Sequence, residues 1–185
     1  TGTTDFYPQL SKIRDLDPDV LVSVFTIANS GISFVTQLKE QALEASHMAI
    51  FYPTRPEFME KASEIADGMV WAALQFSPGI TPAHKEFSDR IQAEYDMPAN
   101  YSHAHAYCTA MVALRAVDAA GSIEPEAVAA KIGETDWSCI DGRYVFGEDH
   151  ATKSGPEFIP VPIAQVQGDA SQVIWPENVA TAEPK

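Results

Sequence analysis

The sequence predicts an α/β protein built on a mainly parallel sheet, and two observations carry that prediction. Short apolar runs rich in β-branched residues alternate with segments whose apolar positions recur at helical spacing, without exception through residue 76. The clearest run, Val20-Leu21-Val22 followed by Val24-Phe25, is short and nearly continuous, as in a strand buried on both faces. The chain has 185 residues, 45% of them hydrophobic, enough for one full domain or two small lobes with a sizeable core.

Taken in order, Phe6, Leu10 and Ile13 share one helical face, with Asp5 as a cap and Pro8 in the first turn. The Val20–Phe25 strand comes after the turn-prone Asp17-Pro18-Asp19. Asn29 and Ser30 are placed to cap a helix to about Leu43, with Phe34, Val35, Leu38 and Ala42 on its apolar side. Met48–Tyr52 reads as a second strand closed by Pro53-Thr54. A helix from about Pro56 to Ala66 ends near Gly68. Met69–Phe76 reads as a third strand. Ser77-Pro78-Gly79 then breaks the pattern and reads as a crossing between lobes.

Three helices come next, at about Pro82–Tyr95, Ala99–Ala120 and Pro125–Ile132. The middle one places Tyr107, Met111 and Leu114 on one stripe and Ala106, Ala110, Ala113 and Val117 on the next. Arg143–Phe146 is a short strand. Phe158–Val166 and Gln172–Trp175 are strands around the turn Gln167-Gly168-Asp169-Ala170, before an extended tail.

Composition excludes several functions. A formal net charge of −14 opposes unspecific binding to nucleic acid or anionic lipid, both of which need a positive surface. No apolar run reaches the roughly 20 residues that span a bilayer. Neither G-x-G-x-x-G nor G-x-x-x-x-G-K-[ST] occurs, so phosphate-cradling loops are absent, and no G-x-S-x-G elbow supports a serine nucleophile. His103 and His105 are two apart and point to different helix faces, so they do not chelate one metal. Asp136, Asp141, Glu148 and Asp149 lack calcium-loop spacing and read as a solvated loop face. Cys108 and Cys139 lack C-x-x-C spacing, which leaves two readings open: buried thiols, or one disulfide suited to an oxidising compartment. No catalytic residue, metal or cofactor is expected.

In an open α/β sheet, ligands sit outside the carboxyl ends of the strands. That rule alone puts Phe25, Thr26, Ile27 and Ala28 at a site.

Five phrases in order resemble the type I periplasmic solute-binding proteins, the branched-chain amino acid and amide receptors of ABC transporters. They are T-D-F-Y-P-Q-L-S-K-I-R-D-L-D-P-D-V-L, A-D-G-M-V-W-A-A, A-Y-C-T-A-M-V-A-L-R-A-V-D-A-A-G-S-I-E-P-E-A-V, D-G-R-Y-V-F-G-E-D-H and A-Q-V-Q-G-D-A-S-Q-V-I-W-P. The resemblance covers essentially the whole chain but only the C-terminal half of such a receptor. It implies three-layer parallel-sheet lobes with the N-terminal half missing, either as a separate chain or lost. Residues 1–76 with 155–185 would form the second lobe, and 77–154 a helical portion of the first. It further implies a small polar solute (an amino acid, amide or small or aromatic carboxylate) held in an interlobe cleft that closes by hinge bending. The implied contacts are Phe25, Thr26, Ile27 and Ala28 after one strand, and Tyr52 and Thr54 after the next. A membrane permease would be the partner and the periplasm, or an exported tethered state, the location. A cytoplasmic ligand-sensing regulator of the same fold, or a small flavodoxin-like enzyme, are the alternative classes. A signal peptide on the whole gene separates the first from a transport protein; turnover would support the second.

Overall fold

The computed structural model describes residues 2–72 and 80–185. In chain order its first elements are α1 (Tyr7–Leu16), β1 (Val20–Phe25), α2 (Ala28–Glu40), β2 (Ser46–Phe51), α3 (Pro56–Ala62) and β3 (Val70–Ala72). After them come α4 (Pro82–Tyr95), α5 (Tyr101–Ala120), α6 (Pro125–Gly133), β4 (Asp136–Ser138), β5 (Arg143–Val145), β6 (Ile163–Gln167) and β7 (Ala170–Trp175). Short 3-10 turns cover Tyr52–Thr54 and Glu177–Val179. The predicted crossing at Ser77-Pro78-Gly79, and the predicted third strand beyond Ala72, lie outside the described residues. Two units divide the chain, 1–74 with 162–185 and 75–161.

The first unit is an α/β layer on a five-stranded sheet of order β1-β2-β3-β6-β7. β1, β2 and β3 are parallel, while β6 and β7 join antiparallel at the far side through a tight turn at Gly168 and Asp169. Register sets Ser23, Ala49, Trp71 and Ala164 side by side, and that row is buried. Ring contacts of Phe34 with Phe6 and Phe25 fix α2 and the start of α1 against this face. α1 forms where expected, with Leu10 fully buried and Asp5 accepting from the Tyr7 N–H.

One expectation for β1 fails. Val20, Val22 and Val24 alternate with Ser23 and are 59%, 54% and 55% exposed, so the strand is buried on one face only. The reason is position: β1 is the sheet edge, and among the described residues no helix covers its valine face.

Gly31 decides how tightly α2 packs. A Cβ there would fall 2.4 Å from the Tyr52 ring, so only glycine lets that ring lie against the helix. Tyr52 is consequently sealed in the core, at 0% exposure.

The second unit packs α4, α5 and α6 with a β4–β5 hairpin. Thr81 caps α4 through the His84 N–H. Asn100 starts α5 by accepting from Ser102 and His103, and His103 Nδ1 accepts the Asn100 N–H in return. The buried stripe of α5 is Ala104, Cys108, Val112 and Ala116, one position over from the expected stripes, and Tyr107 and Leu114 face solvent. Small side chains let a neighbour approach this stripe closely, and at Cys108 the approach is covalent. The Cys108–Cys139 disulfide forms, which resolves the two readings of the cysteines. Cys108, Val112, Tyr144 and Ile159 pack around it with Ile132, Trp137, Ile140 and Phe146. Strand β4, not anticipated from sequence, pairs with β5. Asp141 departs from the solvated loop face expected of the acidic cluster, being 1% exposed because the loop after β4 folds inward beneath α5.

Candidate functional site

The carboxyl ends of β1 and β2 lie side by side, since Phe25 and Phe51 are register partners. The chain leaves β1 through Thr26 and Ile27 into α2, and leaves β2 through a sharp turn at Phe51. Phe51 adopts φ 72 and ψ −56, a γ-turn conformation that is strained for a bulky residue and is held by the 3-10 turn over Tyr52–Thr54. That turn drives Tyr52 inward and leaves the Phe51 ring 41% exposed.

The six anticipated contacts therefore divide. Thr26 and Ile27 are exposed, and Phe25, Ala28 and Thr54 half-buried, all at the ends of adjacent strands or in the turns beyond them. Tyr52 belongs to the support beneath. Its ring meets Phe25 at 5.4 Å and Phe58 at 5.1 Å, and its hydroxyl is hydrogen-bonded to Ser23 Oγ at 2.8 Å. Ser23 Oγ also bonds His47 Nε2 at 2.7 Å. Burial pushes the His47 imidazole down to about 4, so it is neutral at pH 7. Burial also raises the Tyr52 phenol well above its ordinary range, partly offset by the Ser23 bond, so it stays protonated. Sequence reasoning passed over Ser23, His47 and Phe51, because each lies inside a strand and only the fold brings the first two to Tyr52.

Chemically, the shelf offers a hydroxyl at Thr26, which donates and accepts, beside aromatic and aliphatic surface at Phe25, Ile27 and Phe51. Among the described residues, hollows lie elsewhere. One of about 310 Å³ is at the amino ends of β2 and β3, lined by His47, Gly68 and Met69 among others. The other, about 410 Å³, is between α5 and α6. With Thr26, Ile27 and Phe51 exposed, enclosing a small molecule at these strand ends requires a facing surface.

In the second unit, Asp141 Oδ2 accepts from the Tyr144 hydroxyl at 3.0 Å and bonds His105 Nδ1 at 3.1 Å. The Tyr101 ring stacks on His105. Burial, then the Asp141 charge, raises the Tyr144 phenol, which keeps its proton to donate. His103 and His105 do diverge, one closing the α5 cap and the other reaching Asp141.

A mainly parallel α/β sheet with exposed polar and apolar side chains at its strand ends has the layout in which open α/β sheets place their ligands. The chain belongs to the periplasmic binding protein family, whose pattern matches residues 1–170. Among solved structures it is similar to a leucine binding protein from Thermotoga maritima, at 21% identity and a TM-score of 0.78, covering 93% of this chain and 48% of that one. It is also similar to a branched-chain amino acid transporter substrate binding protein from Streptococcus pneumoniae in complex with isoleucine, at 20% identity and TM-score 0.74, covering 92% and 48%. A third is an ABC transporter solute binding protein from R. palustris in complex with benzoate, at 14% identity and TM-score 0.76, covering 98% and 49%. At these identities the likeness shows the fold, the type I periplasmic-binding architecture. The chain spans about half the length of these structures. No curated protein matches it.

Proposed function

We propose that this chain is the C-terminal half of a periplasmic receptor for an ABC uptake transporter, and that it binds rather than transforms a small carboxylate-bearing solute. The observation that carries this reading is the shelf: exposed Thr26 and Ile27 beside half-buried Phe25, Ala28 and Thr54 at adjacent strand ends. A hydroxyl next to aromatic and aliphatic surface suits the carboxylate and apolar body shared by branched-chain amino acids and benzoate, the ligands of the similar structures. The permease of the transporter is the implied partner.

Replacing Thr26 by Val keeps the shape and deletes the hydroxyl. In the assembled receptor, titration calorimetry with leucine, isoleucine and benzoate is expected to show binding weakened by about 1.5–3 kcal/mol for a charged partner. That is roughly ten- to hundredfold in affinity. The melting temperature should hardly move, because Thr26 is exposed. Unchanged affinity with lowered stability would place Thr26 in the scaffold instead.

The remaining half of the receptor is proposed to cover the valine face of β1. With Val20, Val22 and Val24 open beside half-buried Met48 and Ile50, this chain by itself is expected to self-associate. Val22→Lys together with Val24→Lys should return it to a monomer in light scattering. A wild-type chain monomeric at high concentration would contradict the idea that this face has a missing cover.

A further inference from the structure

We propose that the 75–161 unit holds a redox-gated zinc site, in which Cys108 Sγ, Cys139 Sγ and Asp141 Oδ1 bind Zn²⁺ once the disulfide between the two cysteines is reduced. The starting point is a defect in hydrogen bonding. The Asp141 side chain is 0% exposed, yet Oδ1 has no partner among the described residues. A bare, buried carboxylate oxygen is costly and calls for an explanation. Oδ2 already has two neighbours, Tyr144 and His105, which hold the carboxylate in one orientation and leave Oδ1 free to accept.

The second observation is what surrounds it. Both sulfurs and a carboxylate oxygen of Asp141 lie within 4.8 Å of one another. Zinc takes sulfur at about 2.3 Å and carboxylate oxygen at about 2.0–2.2 Å in a tetrahedron, which spaces neighbouring ligand atoms by roughly 3.3–3.8 Å. The cysteine Cα atoms are 5.9 Å apart, so side-chain rotation alone can part the sulfurs by that much after reduction. Two thiolates with one carboxylate suit zinc and disfavour magnesium or calcium, which want oxygen only. Tyr144 and His105 would then orient the ligating carboxylate through its other oxygen, the usual arrangement behind a metal ligand. A fourth position is left for water.

The step balances with a dithiol as reductant. The dithiol passes two electrons and two protons to the Cys108–Cys139 bond and becomes a disulfide itself. The two thiols formed lose their protons as Zn²⁺ binds, so two protons are released per ion. While the bridge is intact its sulfurs are not thiolates and the site is closed.

The test uses the 185-residue chain, reduced with dithiothreitol, desalted without oxygen and titrated with Co²⁺ as a spectroscopic stand-in. The reduced chain should give thiolate-to-cobalt charge-transfer bands and tetrahedral ligand-field bands that saturate at one ion per chain, displaced by Zn²⁺. The oxidised chain should give neither. Asp141→Asn, checked for folding in its oxidised form, should bind at least about tenfold more weakly. No charge-transfer band in the reduced wild type overturns the proposal, as does undiminished binding by the folded variant. Should that variant not fold, alkylation of the reduced wild type decides: zinc must slow modification of both thiols at least about tenfold, and an unchanged rate overturns the site.

Discussion

The paired change Cys108→Ala and Cys139→Ala is expected to destabilise the chain by about 4 kcal/mol. The bridge closes a loop with a sequence separation of 31, and the chain-entropy relation for a loop of that length yields about 3.7 kcal/mol at 25 °C. Some lost packing adds to this, because Cys108 is fully buried among Val112, Tyr144 and Ile159. For a chain of this size the melting temperature should fall by roughly 10 °C. The loss should appear in the Trp137 environment, which packs on the same cluster, before that of Trp71 in the other unit. Denaturant melts of wild type and variant under non-reducing conditions measure it. A difference below about 1 kcal/mol would mean that the cluster holds the loop without the bond.

Acid should cost the first unit stability through His47. Its pKa is about 4 in the folded chain against 6.5 for the free side chain, and burial is the cause. Between these values the unfolded chain binds the proton and the folded chain does not, so stability rises with pH across that window. The contribution is complete above about pH 6.5 and is lost as pH falls toward 4. At 1.36 kcal/mol per pKa unit the full loss would be about 3.4 kcal/mol, and partial solvent access reduces the expectation to about 2. The 26 acidic residues also titrate in acid, so the comparison must be with His47→Gln, which cannot take the proton. Between pH 7 and 4.5 the wild type should lose about 2 kcal/mol more than the variant. Parallel losses would show that the Ser23–His47–Tyr52 group accommodates the charge.

How far the fold was legible from sequence depends on the element. α4 begins at Pro82 and ends at Tyr95 as read, because Thr81, Pro82 and the helical run leave one solution. The β6–β7 turn was legible because Gly168, at φ 68, supplies a backbone few residues adopt. β4 was not, since Asp136-Trp137-Ser138 has no strand pattern of its own and exists through pairing with Arg143–Val145. The boundary after β2 was misread by one residue, and that residue mattered. Tyr52 was expected on the shelf, but the strained turn at Phe51 rotates it into the core and presents Phe51 instead.

The site shows the same split. That Phe25 to Ala28 lie at a carboxyl strand end, where the solute site is proposed, comes from chain order, because parallel strands must all point their carboxyl ends one way. By itself, then, the sequence determined the α/β class and the order of the strands and helices other than β4, and it pointed to the strand end proposed as the solute site. Tertiary structure alone decided which side chains share a space, Ser23 with His47 and Tyr52 and Asp141 with His105 and the disulfide, and which valines of β1 stay exposed. The physical reason is range. Periodicity and caps act over a few residues, whereas the partner of Ser23 is 24 residues away and that of Asp141 is 36, distances that only packing can close.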